Sequence, residues 1–182
     1  MKAVIETKRL LLRNFRLSDA ESMFESYCHN ENITRYLTWY PHVDVQATRD
    51  FITQFQLPGI EKDNALDLAI TLKGEDQVIG SIGTVNDFYQ DGYGEIGYVI
   101  GEKYWNQGYM SEVLSRILKH CFEDIRVNRV EAIHYRLNPA SGKVMAKCGM
   151  KQEGIGIQEL KIKGLYHDVV HYAITQEMWQ RR

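Results

Sequence analysis

Apolar residues recur along this chain with two periods, and the switch between them outlines the elements. Met110, Val113, Leu114, Ile117, Leu118, Cys121, Phe122 and Ile125 fall three and four apart, the spacing of one helix face. Ahead of them residues 96–100 read as a short apolar strand and 101–107 as a polar turn, so residues 95–125 form a strand–loop–helix unit. Upstream, residues 5–15 read as a strand. Ser18 and Glu21 have capping-box spacing with Leu17 as a staple. The helix they open runs to about residue 28, with Ala20, Met23, Phe24 and Tyr27 on one side. Residues 30–43 are irregular and aromatic. Asp44 caps a helix over 45–55 with Ala47, Phe51 and Phe55 on one face, and Pro58-Gly59 ends it.

From residue 65 the period becomes two. Residues 65–72 and the run VIGSIGTV pair as a hairpin around 74–77, and a turn at 87–92 leads to the strand over 94–100. After the long helix, 127–138 alternates as another strand. Asn138 caps and Pro139 opens a helix that buries Ala140, Val144, Met145 and Cys148 and stops at Gly149. Residues 153–162 and 169–175 form a last hairpin around Lys163-Gly164, with Met178 and Trp179 covering its end. The order is β, α, α, β, β, β, α, β, α, β, β. It predicts an α/β (α+β) fold: a mixed, largely antiparallel central sheet of about seven strands with about four flanking helices. Residues 1–182 are expected to form a single domain.

Composition narrows the function classes. The 182 residues are 44% apolar and 25% charged, with a net charge of −2. That balance gives no general attraction to nucleic acid or to an anionic membrane. No apolar run is long enough to span a bilayer, and the first residues do not read as a signal peptide. Three cysteines without a C-x-x-C fit a reducing, cytoplasmic setting and no zinc site. His167 and His171 would stand roughly 13 Å apart on a strand, too far to share one metal ion. A homodimer is possible, but no periodic face marks a partner.

Charge is distributed unevenly. Residues 102–151 hold nine basic and five acidic side chains, a net +4. The segment NQGYMS, just before the long apolar face, has a glycine and no acid. A helix beginning there offers unpaired N–H groups and the positive end of its dipole, which suits a phosphate or pyrophosphate. There is no G-x-x-x-x-G-K-S/T, and no G-x-G-x-x-G opens a helix, which disfavours nucleotide hydrolysis and dinucleotide binding.

EIGYVI, YWNQGYMSEVL and NPASGKVMAKCGMKQEG together resemble the GCN5-related N-acetyltransferase (GNAT) superfamily. The closer resemblance is to its ribosomal-protein-alanine N-acetyltransferase-like branch. T-x-R-L-x-L-R at Thr7, Arg9, Leu10, Leu12 and Arg13 carries it into the N-terminus. G-x-x-x-D-x-x-x-Y at Gly164, Asp168 and Tyr172 carries it into the tail. The resemblance implies the acyl-CoA N-acyltransferase fold with a splayed cofactor cleft, acetyl-CoA as cofactor and an amine acceptor, either a peptide N-terminus or a small amine. The family's Q/R-x-x-G-x-G/A loop falls on residues 105–110. Gly108 holds its position, Trp105 stands where Gln or Arg is usual, and Met110 replaces the small last residue.

The same resemblance places cofactor contacts at Tyr98, Val99, Ile100, Gln107, Gly108, Tyr109, Met110, Ser111, Asn138 and Ser141. The backbone of Tyr98 and Ile100 is expected to pair with the pantetheine arm, and Lys143 and Lys147 to add positive field. Amide formation from a thioester needs a deprotonated amine, donors for the oxyanion and a proton for the thiolate. Glu95, opening the cofactor strand, is the candidate base, with His134 as alternative. Ser141 is the candidate proton donor or orienting group, with Tyr135 as alternative, because the tyrosine often found further along that helix is replaced by Val144 and Met145. The Ile100 N–H is the expected oxyanion donor. Acceptor contacts are expected from Tyr36, Trp39, Tyr40, Glu95 and Tyr166. Two rivals stand beside peptide N-terminal acetylation: acetylation of a polyamine, amino acid or antibiotic, and a non-catalytic acyl-CoA-binding module.

Overall fold

The computed structural model describes residues 4–60, 66–85 and 92–182. The first apolar run breaks in two: β1 (Val4–Glu6) and β2 (Leu10–Arg13) pair antiparallel around Thr7. The Thr7 hydroxyl accepts the Leu10 N–H at 2.9 Å, a local closure that competes with continued strand. Among the described residues the sheet therefore has eight strands in place of about seven. The others are β3 (Asp67–Leu72), β4 (Val78–Thr84), β5 (Tyr93–Ile100), β6 (Arg129–Tyr135), β7 (Lys151–Ile162) and β8 (Leu165–Thr175). Their order is β1-β2-β3-β4-β5-β6-β8-β7. Only β5 and β6 run parallel; every other neighbouring pair is antiparallel.

Seven short helices flank the sheet in the described residues, more than the expected four. They are α1 (Ala20–Met23), α2 (Glu31–Thr34), α3 (Val45–Phe51), α4 (Leu57–Ile60), α5 (Tyr109–Lys119), α6 (Pro139–Lys147) and α7 (Gln176–Gln180). Wider, π-type turns extend three of them, at Phe24–Cys28, Ile52–Gln56 and His120–Ile125. Strand alternation feeds two cores. Leu68 and Ile70 of β3 pack with α5, while Ala69 between them packs with α1 and Ile52. The α5 face is buried as its spacing requires, from Met110 to Leu118 and on through Cys121 and Phe122, with Ile125 half-buried.

Several local expectations change. The Ser18–Glu21 box does not form. Helical turns start earlier, at Leu17, and the Asp19 carboxylate takes the Arg16 N–H at 2.7 Å. Leu17 is exposed, not a staple. Asp44 does cap α3, accepting the Ala47 N–H at 2.8 Å. The buried face, however, is Thr48, Ile52 and Gln56, while Phe55 is 61% exposed. Pro58 does not end the helix. It sits second in α4, which continues directly from the wider π-type turn at Ile52–Gln56. In α6, Ala140 is exposed, and Gly142 and Met145 make the buried face. Most of the 87–92 turn and the start of the strand at 65 lie outside the described residues.

One irregularity positions the site. β5 pairs with β6 only through Tyr93, Gly94 and Glu95, opposite Arg129, Val130 and Glu131. Beyond Glu95 the strands part, and the N-terminus of α5 and the first turn of α6 border the opening.

Candidate active site

Main-chain parity decides what the parted edge offers. The Val85 N–H donates to the Glu95 carbonyl, and the Gly101 N–H donates to the Ile79 carbonyl. Odd-numbered residues of β5 thus face β4, and the residues between them turn their backbone groups the other way. Tyr98 and Ile100 therefore present main-chain groups to the gap. The Trp105 indole N–H already donates to the Ile100 carbonyl at 3.0 Å, which leaves the Ile100 N–H on that edge.

A cavity of about 520 Å³ occupies the gap. Tyr98, Val99 and Ile100 of β5 line one side, with Gly108, Tyr109, Met110 and Ser111 at the head of α5. Asn138, Ser141, Lys143 and Lys147 line the α6 side. Gly108 has φ 77°, the left-handed region glycine favours, and no side chain caps the helix after it. The N–H groups of Tyr109, Met110 and Ser111 are thus without intrahelical acceptors. Met110 is 6% exposed and buries its side chain in the core, so the loop offers backbone rather than thioether. Among the described residues no Asp or Glu lines the cavity, whereas Arg35, Lys143 and Lys147 do. This is a site for a long anionic ligand whose amide-bearing part can add to a strand edge.

Asn138 precedes α6 but caps it only through its backbone: its carbonyl accepts the Ser141 N–H at 3.2 Å, and its side chain makes no capping bond. The Ser141 hydroxyl donates to the Tyr98 phenol oxygen at 2.9 Å, and that phenol donates to the Ser141 carbonyl at 3.0 Å. A tyrosine from the strand thus reaches the serine on the helix. Burial pushes the Tyr98 phenol well above its usual pKa, outweighing the bond from Ser141. The Cys148 thiol donates to the Ser111 carbonyl at 3.3 Å, tying the end of α6 to the first turn of α5.

Glu95 is half-buried at the last paired position of β5, opposite Glu131. Its neighbour Ile96 faces the α5 core, so Glu95 looks out from the other face of the sheet. It is not among the residues bounding the cavity. Burial first, then the charge of Glu131, raise its pKa, and His171 partly offsets them. Glu131 is held by the Arg129 guanidinium at 2.6 Å and the Tyr93 hydroxyl at 2.9 Å. His171 contacts Glu159 at 2.7 Å.

Other expected site residues lie elsewhere. Gln107 turns away from the cavity: its amide donates to the Lys103 carbonyl at 2.8 Å. Of the expected acceptor residues, Tyr36 lines the cavity, with the Arg35 guanidinium 4.7 Å from its ring centre. Trp39 instead packs against His42 and Phe51 in the second core. Tyr40 and Tyr166 are exposed beneath Lys163 and Lys161. His134 is enclosed between Tyr172 and Gly142, and Tyr135 stacks on His167 at 4.9 Å, so neither alternative group borders the cavity. Sequence reasoning missed the Tyr98 phenol, the Trp105 indole and the wall formed by Ile33 of α2 with Arg35 and Leu37 just beyond it. The aromatic run YWNQG signalled the loop but not the indole's target.

A sheet parted between two parallel strands, with an uncapped helix N-terminus at the parting, is the splayed cleft that the resemblance to the CoA-dependent acyltransferases implies. The chain belongs to the GNAT acetyltransferase family: residues 9–151 match the model described as acetyltransferase (GNAT) domain. It is 32% identical over 175 residues to the uncharacterised N-acetyltransferase YnaD of Bacillus subtilis (strain 168), covering 96% of this chain and 98% of that one. It is 26% identical over 189 residues to the [ribosomal protein uS5]-alanine N-acetyltransferase of Escherichia coli (strain K12), covering 98% and 93%. Among solved structures, a GNAT-family acetyltransferase from Bacillus anthracis superposes with a TM-score of 0.84 at 28% identity, covering 96% of this chain and 99% of that one. The protein is thus a GNAT-type, acetyl-CoA-dependent acetyltransferase, and the cavity's donors and positive lining fit that cofactor.

Proposed function

We propose that this chain acetylates the N-terminal α-amine of a protein or peptide, as a member of the ribosomal-protein-alanine N-acetyltransferase-like branch. The observation carrying this reading is Glu95, a carboxylate raised by burial and by Glu131, beside the point where β5 and β6 part. A carboxylate is a weak base, so the acceptor must lose its proton easily. An α-amine has a pKa of about 7.7–8.0 and is roughly one-tenth neutral at pH 7, whereas a lysine-like amine near 10.4 is almost wholly protonated. The likeness to a uS5-alanine acetyltransferase over nearly the whole chain supports the same acceptor class.

Acetyl-CoA, when bound, supplies an activated thioester and a thiolate leaving group. The chain's own residues do the rest. Tyr98 and Ile100 would hold the pantetheine arm through main-chain groups, and the first turn of α5 with Lys143 and Lys147 would hold the phosphates. The Ile100 N–H would serve as the oxyanion donor, Glu95 would accept the amine proton through water, and Ser141, braced by Tyr98, would serve as the orienting hydroxyl for the leaving thiolate. The open wall of Ile33, Arg35 and Leu37, with Tyr36, would receive the acceptor. The second reading, a small-molecule amine as acceptor, uses the same cofactor site and differs only at the acceptor site.

An acceptor panel of N-terminal peptides, polyamines, amino acids and aminoglycosides, scored by released CoA and product mass, tests the proposal. Peptide N-termini are expected to turn over best. Preference for a polyamine or aminoglycoside sinks the acceptor assignment, and CoA binding without any product leaves a binding module. E95Q is expected to lower kcat by about 10²–10⁴, the usual worth of a general base, with CoA affinity retained.

A further inference from the structure

The N-terminal T-x-R-L-x-L-R motif has no role in the site described so far. Its arginines do different work. Arg13 is buried in an ion pair with Asp19, but Arg9 is 40% exposed and reaches across to the head of α5. Its Nε donates to a Glu112 carboxylate oxygen at 2.7 Å, and its backbone N–H donates to the other at 2.8 Å. The Thr7 hydroxyl donates to that second oxygen at 2.6 Å. Arg9 Nη1 donates to the Gln107 carbonyl at 3.0 Å. The guanidinium carbon lies 4.2 Å from the centre of the Tyr109 ring. Its Nη2 stands 3.6 Å from where a Cβ on Gly108 would be. One side chain thus touches Gln107, Tyr109 and Glu112 and stands over Gly108, the loop and first turn expected to take the pyrophosphate.

Glu112 explains why such a contact is needed. Its N–H donates to the Gly108 carbonyl, so its carboxylate belongs to the first turn of α5. Glutamate there favours the helix dipole but opposes any anion bound at the same terminus. Partial burial alone would raise its pKa, but the bonds from Thr7 and Arg9 outweigh burial and hold it below the ordinary glutamate value. The charge is therefore present at neutral pH.

We propose that Arg9 is a positioning residue for the cofactor: it neutralises Glu112 and pins the Gln107 carbonyl, keeping the 107–111 cradle open and electrostatically acceptable to a pyrophosphate. This rests on the cofactor reading above, and it gives the motif a part in CoA affinity. The Arg9 side chain makes its contacts through Nε, Nη1 and the ring face, which leaves Nη2 free at the open side of Gly108.

The test is calorimetric titration of the folded protein with CoA and, separately, with pantetheine, which lacks the diphosphate. R9Q is expected to weaken CoA binding about tenfold or more, the upper range for a charge at a helix terminus, and to leave pantetheine binding unchanged. R9K, which keeps the charge but not the fork, falls between. The double variant R9Q/E112Q is expected to recover most of the lost affinity, because the uncompensated charge is gone; E112Q alone binds CoA at least as tightly as the parent. If R9Q and the double variant, both shown folded by thermal melt, bind CoA equally weakly, or if pantetheine binding falls in step with CoA, Arg9 is only a structural brace. If R9Q does not fold, E112Q and the double variant still decide: weaker CoA binding in E112Q overturns the proposal. Failure of the parent itself to bind CoA would instead sink the cofactor reading.

Discussion

Two side-chain encounters shape the candidate site at residue scale. Tyr98 and Ser141 exchange hydrogen bonds across the parted strands at 2.9 and 3.0 Å, so the serine on α6 is oriented by a phenol on β5. Glu95 and Glu131 stand opposite each other in register, and the second carboxylate helps raise the pKa of the first after burial. Like charges disfavour ionisation, so removing one lowers the other's pKa. On the proposed mechanism the rate requires Glu95 ionised and is therefore expected to rise as pH climbs through its pKa. In E131Q the acid limb of kcat/KM is expected to move to lower pH. A pH–rate profile that stays put, or moves up, would take Glu95 out of the base role.

The same N-terminal motif works on two elements. Leu10 and Leu12 of β2 are fully buried, and Arg13 is 4% exposed. Arg13 meets Asp19, at the entry to α1, with two bonds of 2.8 and 2.9 Å. A third contact, to Asp76 at 3.1 Å, is with a side chain that is 75% exposed. Breaking a buried pair by removing one partner costs about 3–5 kcal/mol, while an exposed partner is worth about 0–1 kcal/mol. D19A is therefore expected to lower stability several-fold more than D76A in urea denaturation. Equal losses would show that Asp19 is not the partner that matters. At the other helix of the site, Gly142 lets α6 press on β6: a Cβ there would lie 2.5 Å from His134 Nε2.

At the scale of the whole molecule, the parting of β5 from β6 is the organising fact. Three paired positions join the two strands, and beyond them Tyr98–Ser141 links β5 to α6 and Cys148–Ser111 links α6 to α5. A ligand that fills this gap binds the native state alone and stabilises it by mass action, by about 2.7 kcal/mol at one hundred times Kd. For a chain of 182 residues that amounts to a rise in Tm of roughly 5–10 °C. CoA is expected to produce this shift; a melting curve indifferent to saturating CoA would contradict the assigned cleft.

What the sequence determined by itself was whatever depends on neighbours along the chain. The spacing from Met110 to Phe122 dictated α5 and its buried face, the alternation of β3 to β5 dictated strands, and the acid-free segment NQGYMS ahead of the helix pointed to a candidate phosphate site. The tertiary structure decided what depends on partners far apart in the chain. Strand parity and the loss of pairing after Glu95 chose which backbone groups face the gap. Tyr98 found Ser141 43 residues away, and Arg9 found Glu112 103 residues away. Trp39 and Phe55 show the same limit from the other side. Local spacing grouped Phe55 with the buried face, and the family resemblance grouped Trp39 with the acceptor site. The packing of α3 put one in solvent and the other, half-buried, against the second core, because burial is settled by what lies across the contact and not by period alone.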